Sequence, residues 1–217
     1  MTLAIDVVSD IVCPWCFIGK RRLEAALALY AKERPEAPAP GVTWRPFQLN
    51  PGLPAEGVPR DEYVARKFGA RGRAVYDRVA MIGREVGIDF AFDRIARQPN
   101  TLAAHSLIEL AGAHGRQGAV KEAFFRAYFL DGVDLTARAN LVAIATAAGL
   151  DRATVEAWLD NPQAREAVAS EDARARELGI EGVPFFIFNR RLAVSGAQPS
   201  EVLRDAMQQA ADAPAEP

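Results

Sequence analysis

The chain has 217 residues, of which half are apolar, and its formal net charge at pH 7 is −2. This length allows one large domain or one domain with an insertion, and the apolar content is enough for a buried core. The small net charge gives no electrostatic basis for binding nucleic acid. No apolar run approaches the roughly 18 residues of a membrane span, and Met1 and Thr2 precede the first predicted strand without a signal-peptide pattern. We therefore expect a cytoplasmic protein that does not bind membranes.

The first predicted elements flank the only two cysteines of the chain. A short apolar run at residues 3–8 predicts a strand, and Ser9 and Asp10 break it. Apolar residues at helical spacing then predict a helix over residues 20–32. The motif Cys-Pro-Trp-Cys at residues 13–16 lies between the strand and the helix, and the segment that follows it is amphipathic up to about residue 33.

This position suits thiol chemistry. A helix N-terminus offers unpaired N–H groups and a partial positive charge, which together favour a thiolate. Pro14 fits the first helical turn because it has no N–H and its φ is already helical. Because a disulfide is exchanged only by a thiolate, we expect Cys13 to be the exposed, attacking thiol and Cys16, one turn later and more covered, to be the resolving thiol. Trp15 fills the second place of the variable dipeptide.

Two other interpretations of the cysteine pair remain open at this stage. A zinc site would need two further ligands, and the only histidines, His105 and His114, are nine residues apart, which is not a metal-binding spacing. We therefore expect no metal. The two cysteines could also be non-reactive residues of the hydrophobic core. The strand before the motif and the proline within it, however, are what a redox-active turn requires.

The rest of the chain separates strand patterns from helix patterns. Prolines at residues 35–40 form a loop, and residues 42–49 predict a second strand weakened near Pro46. A hairpin is predicted from strands at 185–188 and 192–195, and a last helix at 200–211. Between them the pattern is helical, over residues 62–68, 73–86, 102–114, 118–129, 137–148, 153–159 and 162–178.

This layout predicts an α/β fold with a discontinuous domain. Residues 1–57 and 180–211 carry all the predicted strands and form a thioredoxin-like domain, because a β-α-β unit around C-x-x-C is typical of that fold. Residues 58–179 form an all-helical insertion domain, which we expect to cover one edge of the sheet. Residues 212–217 are expected to be a disordered tail.

The layout resembles the DsbA family, in which a helical domain is inserted into a thioredoxin fold. Within it, SDIVCPWCFIG at 9–19, WRPFQLNP at 44–51, GVPFFIFN at 182–189 and SGAQP at 195–199 resemble the FrnE-type branch. That branch is related to 2-hydroxychromene-2-carboxylate isomerases and kappa-class glutathione transferases. The resemblance extends over nearly the whole chain.

The resemblance implies roles for individual residues. Cys13 matches the family's nucleophile, Cys16 its resolving cysteine, and Val183 and Pro184 its loop with a cis-proline facing the disulfide. Cis bonds occur in only about 5–6% of X–Pro pairs, so the sequence alone would favour a trans bond. Since Pro184 has no N–H, the backbone of Val183 is expected to pair with an extended substrate segment.

One family feature is missing. The buried acid that moves the proton of the resolving cysteine would lie six residues before the first cysteine, where this chain has Val7. Asp6 could lie on either face of the strand, and Asp10 is expected to be a solvated cap in the turn. No proton acceptor is assigned from the sequence.

Two residues of the insertion have two interpretations each. His105 lies among apolar residues, which favours a packed histidine with local partners, but it could also face the active-site cleft. Asn100 could face the same cleft, although a helix-capping role is sufficient to explain it.

Three functions follow. The first is a thiol–disulfide oxidoreductase acting on disulfide-containing proteins or small molecules, with no tightly bound cofactor and glutathione as a candidate co-substrate. The second is a glutathione-dependent isomerase or transferase, but those relatives typically carry serine at the position of Cys13. The third is a binding module that keeps the motif as a relic. A monomer or a homodimer is compatible with the sequence, since the amphipathic insertion could dimerise.

Overall fold

The computed structural model describes residues 2–213 and contains a four-stranded sheet. Its strands are β1 Ala4–Ser9, β2 Gly41–Pro46, β5 Phe185–Phe188 and β6 Leu192–Ser195. They lie in the order β2-β1-β5-β6, with β1 parallel to β2 and antiparallel to β5, and β5 antiparallel to β6. The second strand ends at Pro46, earlier than predicted, because a proline cannot donate to the ladder beyond that point.

Two helices pack together beside this sheet. Helix α1 spans Pro14–Glu33 and helix α9 spans Ser200–Asp212, and the two contact each other along their lengths. Alternate strand residues such as Ile5, Val7 and Phe186 belong to the same buried cluster as these helices. Asp212 belongs to α9, which corrects its assignment to the tail, and residues 214–217 lie outside the described residues.

Between β2 and β5 the chain is mostly helical. The bounds are β3 Val58–Pro59, α2 Arg60–Phe68, α3 Gly72–Glu85, β4 Arg97–Gln98, α4 Leu102–Ala113, α5 Gln117–Phe129, α6 Arg138–Ala147, α7 Arg152–Asp160 and α8 Pro162–Glu177. Helices α4, α5 and α8 contact β2 and so cover that edge of the sheet, as expected. The insertion is not all-helical, because β3 pairs with β4 in a small antiparallel ladder that the short, proline-containing segments did not predict.

Phenylalanine rings join helix α1 to the insertion. Phe17 of α1 stacks on Phe125 of α5 with ring centroids 4.9 Å apart, and it meets the edge of Phe90 at 6.0 Å. All three rings belong to one hydrophobic cluster that includes residues of the sheet and of the insertion. The division of the chain at residues 57 and 180 stays a prediction, since both parts contribute to a common core. No helix among the described residues is long and apolar enough to cross a membrane.

Gly19 allows helix α1 to approach the segment that precedes β5. A Cβ atom at this position would lie 2.8 Å from Cγ of Pro184 and 3.3 Å from Cζ of Phe186. Both neighbours are ring atoms with little freedom to move, and Gly19 is itself buried. The absence of a side chain here therefore sets how closely the motif helix and Pro184 pack.

We predict that Gly19→Ala lowers the free energy of unfolding by about 1–3 kcal/mol, as overpacked core substitutions do. Denaturant unfolding followed by circular dichroism measures the change. Gly118→Ala in α5 is the matched control, because its Cβ would meet its nearest neighbour only at 3.9 Å. A Gly19→Ala protein as stable as the control would contradict the close packing described here.

Candidate active site

The cysteine motif begins where the turn after β1 meets helix α1. Cys13 is the N-cap residue of α1, and Pro14 occupies the first helical position. The backbone N–H of Cys13 donates to the carbonyl oxygen of Asp10 at 3.2 Å, and the N–H of Cys16 donates to the carbonyl oxygen of Cys13 at 3.0 Å. Trp15 is partly buried and packs against the main core. The local geometry therefore places the Cys13 thiol at the N-terminus of α1, as the motif predicts.

The two thiols are free, and their pKa values are shifted in opposite directions. The pKa of Cys13 is lowered, chiefly because the Cys16 thiol donates a hydrogen bond to it and also because the backbone N–H groups of Cys16 and Trp15 face it. The pKa of Cys16 is raised well above its usual value, first by burial and then by the neighbouring Cys13 sulfur. Cys13 is only 4% exposed and Cys16 is 0% exposed, so the expectation that Cys13 is open to solvent is wrong.

The segment before β5 faces the first cysteine. Sγ of Cys13 lies 3.5 Å from the carbonyl oxygen of Val183, a contact that the protonated thiol donates. The peptide bond between Val183 and Pro184 is cis, as the resemblance implies. The carbonyl oxygen of Pro184 accepts a 2.8 Å hydrogen bond from the N–H of Gly196, which ties this segment to the end of β6.

Asp10 is buried, so its assignment as a solvated cap is wrong. Its side chain is fully inaccessible, with Oδ2 accepting the backbone N–H of Leu49 at 2.8 Å and Oδ1 lying 3.1 Å from Nε2 of His105. A buried carboxylate needs such partners, because burial without them is strongly unfavourable. Asp6, by contrast, forms a 2.7 Å ion pair with Arg45 on the other face of the strand.

His105 lies beneath the motif, in contact with Asp10, and does not line an open cleft. It is buried, and burial lowers its pKa despite the hydrogen bond to Asp10. Asn100 serves mainly to connect segments. Its side chain accepts the N–H of Leu102, the first residue of α4, at 2.9 Å and donates to the carbonyl oxygen of Leu53 at 2.8 Å.

Lys121 is a residue of this region that the sequence did not single out. It belongs to α5, is fully buried, and donates to the carbonyl oxygen of Ser9 at 3.4 Å. Burial, which outweighs the attraction of the Cys16 and Asp10 charges, lowers its pKa to about 8. Its place on the apolar face of a helix, three and four residues before Phe124 and Phe125, was the available signal.

We predict that Asp10→Asn lowers the pKa of Cys13, because the negative charge of Asp10 disfavours the nearby thiolate. Ultraviolet absorbance of the thiolate against pH measures the change. Asp6→Asn removes an equal charge from within β1, where Asp6 pairs with Arg45, and serves as the control. A pKa of Cys13 that stays the same or rises in Asp10→Asn would contradict this electrostatic arrangement.

Many solved structures are similar to this chain, including the following three. A probable DsbA oxidoreductase from Streptomyces coelicolor is 34% identical, over 99% of this chain and 93% of that chain, with a TM-score of 0.88. A 2-hydroxychromene-2-carboxylate isomerase is 16% identical, over 95% of both chains, with a TM-score of 0.68. The cytosolic disulfide reductase DsbM from Pseudomonas aeruginosa, solved with GSH, is 18% identical over 96% of both chains, with a TM-score of 0.61. At such low identity the last two likenesses show the fold alone.

The 34% identity to a probable DsbA oxidoreductase agrees with the resemblance to the DsbA family. A family model described as a DSBA-like thioredoxin domain matches residues 4–208, which is nearly the whole chain. The fold expected from the sequence, a thioredoxin-type sheet with a large helical insertion, is confirmed. The chain belongs to the DSBA-like thioredoxin domain family.

Proposed function

We propose that this protein is a thiol–disulfide oxidoreductase in which Cys13 attacks a substrate disulfide and Cys16 resolves the mixed disulfide. The observation that carries the proposal is the inequality of two neighbouring thiols. Cys13, at the N-terminus of α1, has a lowered pKa, and the buried Cys16 has a raised one. A thiolate beside a protonated thiol is the arrangement that two-step exchange requires.

In the first step, the Cys13 thiolate attacks one sulfur of the substrate disulfide. A bond forms between that sulfur and Sγ of Cys13 while the substrate S–S bond breaks, and the other substrate sulfur leaves as a thiolate. Helix α1 stabilises the attacking anion through its dipole and its first N–H groups. The hydrogen bond from Cys16 adds to this stabilisation.

In the second step, Cys16 loses its proton and attacks Sγ of Cys13. The new bond joins the two cysteines, the mixed disulfide breaks, and the second substrate sulfur leaves as a thiolate. Two electrons have then passed from the cysteine pair to the substrate. Because exchange is reversible, the direction is set by the reduction potentials of the pair and its partner.

The substrate is a disulfide-containing protein or small molecule. The backbone of Val183, whose carbonyl oxygen faces Cys13, is placed to pair with an extended segment on either side of a substrate cysteine. Glutathione is a suitable co-substrate that regenerates the dithiol, and the chain needs no tightly bound cofactor for this chemistry. A cytoplasmic location, like that of the cytosolic disulfide reductase DsbM, would keep the pair reduced at rest.

A glutathione-dependent isomerase is the second candidate, favoured by the likeness of fold to 2-hydroxychromene-2-carboxylate isomerase. Such an enzyme orients the glutathione thiol without forming a bond to it. Cys13 would instead form a mixed disulfide with oxidised glutathione. The buried Cys16 would have no role in an isomerisation. The cysteine pair therefore favours redox exchange.

We predict that the wild-type protein catalyses reduction of insulin by dithiothreitol and that Cys13→Ser abolishes the catalysis. Removal of the attacking sulfur leaves only the much less nucleophilic hydroxyl, so the turbidity of precipitating insulin chains should develop at the uncatalysed rate. Asp6→Asn, with both cysteines intact, is the control for preparation and folding.

Absence of catalysis in the wild type would argue for the isomerase, to be tested with glutathione and a chromene-type carboxylate. Isomerisation that survives or improves in Cys13→Ser would contradict the redox function. Insulin reduction that survives in Cys13→Ser would show that Cys13 is not the nucleophile.

A further inference from the structure

The backbone of Val183, which lies beside the attacking cysteine, is held mainly from one side. Glu181 and Gly182, the two residues before it, are exposed, and their N–H groups donate no hydrogen bond within the described part of the chain. The N–H of Val183 is likewise unpaired among the described residues, and its carbonyl oxygen faces only Sγ of Cys13. The position of this backbone therefore depends on Pro184 and on the groups that contact it.

Pro184 is held by the loop at residues 196–199, which follows β6. Its carbonyl oxygen accepts the N–H of Gly196 at 2.8 Å. Gly196 has a φ of 80°, in the left-handed region that glycine adopts without strain. Within the loop, the N–H of Gln198 donates to the carbonyl oxygen of Gly196 at 2.9 Å, and its side-chain amide donates to the carbonyl oxygen of Ser195 at 2.9 Å. The loop is thus ordered by its own hydrogen bonds and carries Pro184 with it.

Helix α1 holds this loop through Arg22. Nη1 of Arg22 donates a hydrogen bond to the carbonyl oxygen of Ala197, the residue after Gly196. This is the only hydrogen bond of the guanidinium among residues 2–213, within which it also has no carboxylate partner. A hydrogen bond from a charged donor is stronger than one between neutral groups. Arg22 therefore spends its charge on fixing a backbone carbonyl of the loop.

Arg22 and Gly19 act on the same segment from the same face of the helix. They are three residues apart in α1, and residues at this spacing are neighbours on a helix surface. Gly19 approaches Pro184 directly, since a Cβ atom there would lie 2.8 Å from Cγ of the proline. Arg22 reaches Pro184 through the loop. The helix that begins at Cys13 thus also sets the position of the backbone that faces Cys13.

We propose that Arg22 is a positioning residue for substrate binding, which holds the backbone of Val183 beside Cys13 through the loop at residues 196–199. This inference rests on the proposed function. The substrates that depend on Arg22 are disulfides whose cysteine lies in an extended peptide, because such a segment can pair with the N–H and the carbonyl oxygen of Val183. The carbonyl becomes free for this pairing when Cys13 ionises, since a thiolate has no proton to donate. A small disulfide without a peptide backbone reacts at Cys13 independently of Arg22.

Two disulfides separate the positioning of a peptide from the attack by Cys13. The first is dithiodipyridine, a neutral chromogenic disulfide without a peptide backbone, mixed with the pre-reduced protein in a single turnover. The second is a disulfide-linked dimer of a short peptide with a central cysteine, which carries a fluorophore on one half and a quencher on the other. Turnover of the peptide dimer is followed with dithiothreitol as the reductant.

We expect Arg22→Met to raise KM for the peptide dimer by about fivefold or more and to leave kcat unchanged, because it weakens hydrogen bonds that are made equally in the ground state and in the transition state. The rate with dithiodipyridine should stay at the wild-type value. Arg22→Lys keeps a charged donor and should give a KM closer to that of the wild type. The split between KM and kcat, and between the two disulfides, is not expected from a general loss of structure.

Arg21→Met is the matched control, because it removes the same charge from the adjacent position of α1. Arg21 is paired with Glu24 and Glu122 rather than with the loop. Its KM for the peptide dimer should equal that of the wild type.

Four outcomes would each overturn the proposal. These are an unchanged KM for the peptide dimer in Arg22→Met, equal losses with the peptide dimer and with dithiodipyridine, the same rise of KM in Arg21→Met, and an Arg22→Lys variant no better than Arg22→Met. A wild type that reacts with neither disulfide, or turnover of the peptide dimer that persists in Cys13→Ser, would instead overturn the proposed function.

Discussion

The burial of Asp10 constrains the architecture around the motif. A carboxylate without solvent must have hydrogen-bond partners or opposite charge nearby, since an isolated buried charge is strongly unfavourable. The turn before the motif cannot supply them alone. The N–H of Leu49 comes from the segment after β2, and His105 comes from helix α4 of the insertion. The turn, the edge of the sheet and the insertion must therefore assemble together around one side chain.

Packing of helix α1 against the insertion reinforces the same assembly. Phe17 stacks on Phe125, and Arg21, one turn later, forms an ion pair with Glu122 of α5. Lys121, the residue before Glu122 on α5, extends to the carbonyl oxygen of Ser9. The insertion thus does more than cover an edge of the sheet. It contributes side chains to the buried surroundings of the cysteine pair, in the place where the strand itself offers only Val7.

Sequence reasoning succeeded where the controlling interactions are local. The strand–motif–helix order, the hairpin and the late proline segment follow from periodicity, turn residues and resemblance, and the structure contains them. It failed where partners are distant in the chain. Asp10 was expected in solvent because its neighbours are turn residues, yet its partner His105 is 95 positions away, and Lys121 lies 112 positions from Ser9. The sequence pattern likewise did not predict the pairing of β3 with β4, because two-residue strands are too short to show periodicity.

Mass spectrometry of Cys16→Ser and wild-type protein after exposure to glutathione disulfide tests the proposed disulfide exchange at Cys13 and its resolution by Cys16. A stable glutathione adduct is expected on Cys13 of the variant, and in the wild type an internal disulfide with no adduct. A lasting adduct on wild-type Cys13, or no adduct on the variant, would contradict the proposed exchange.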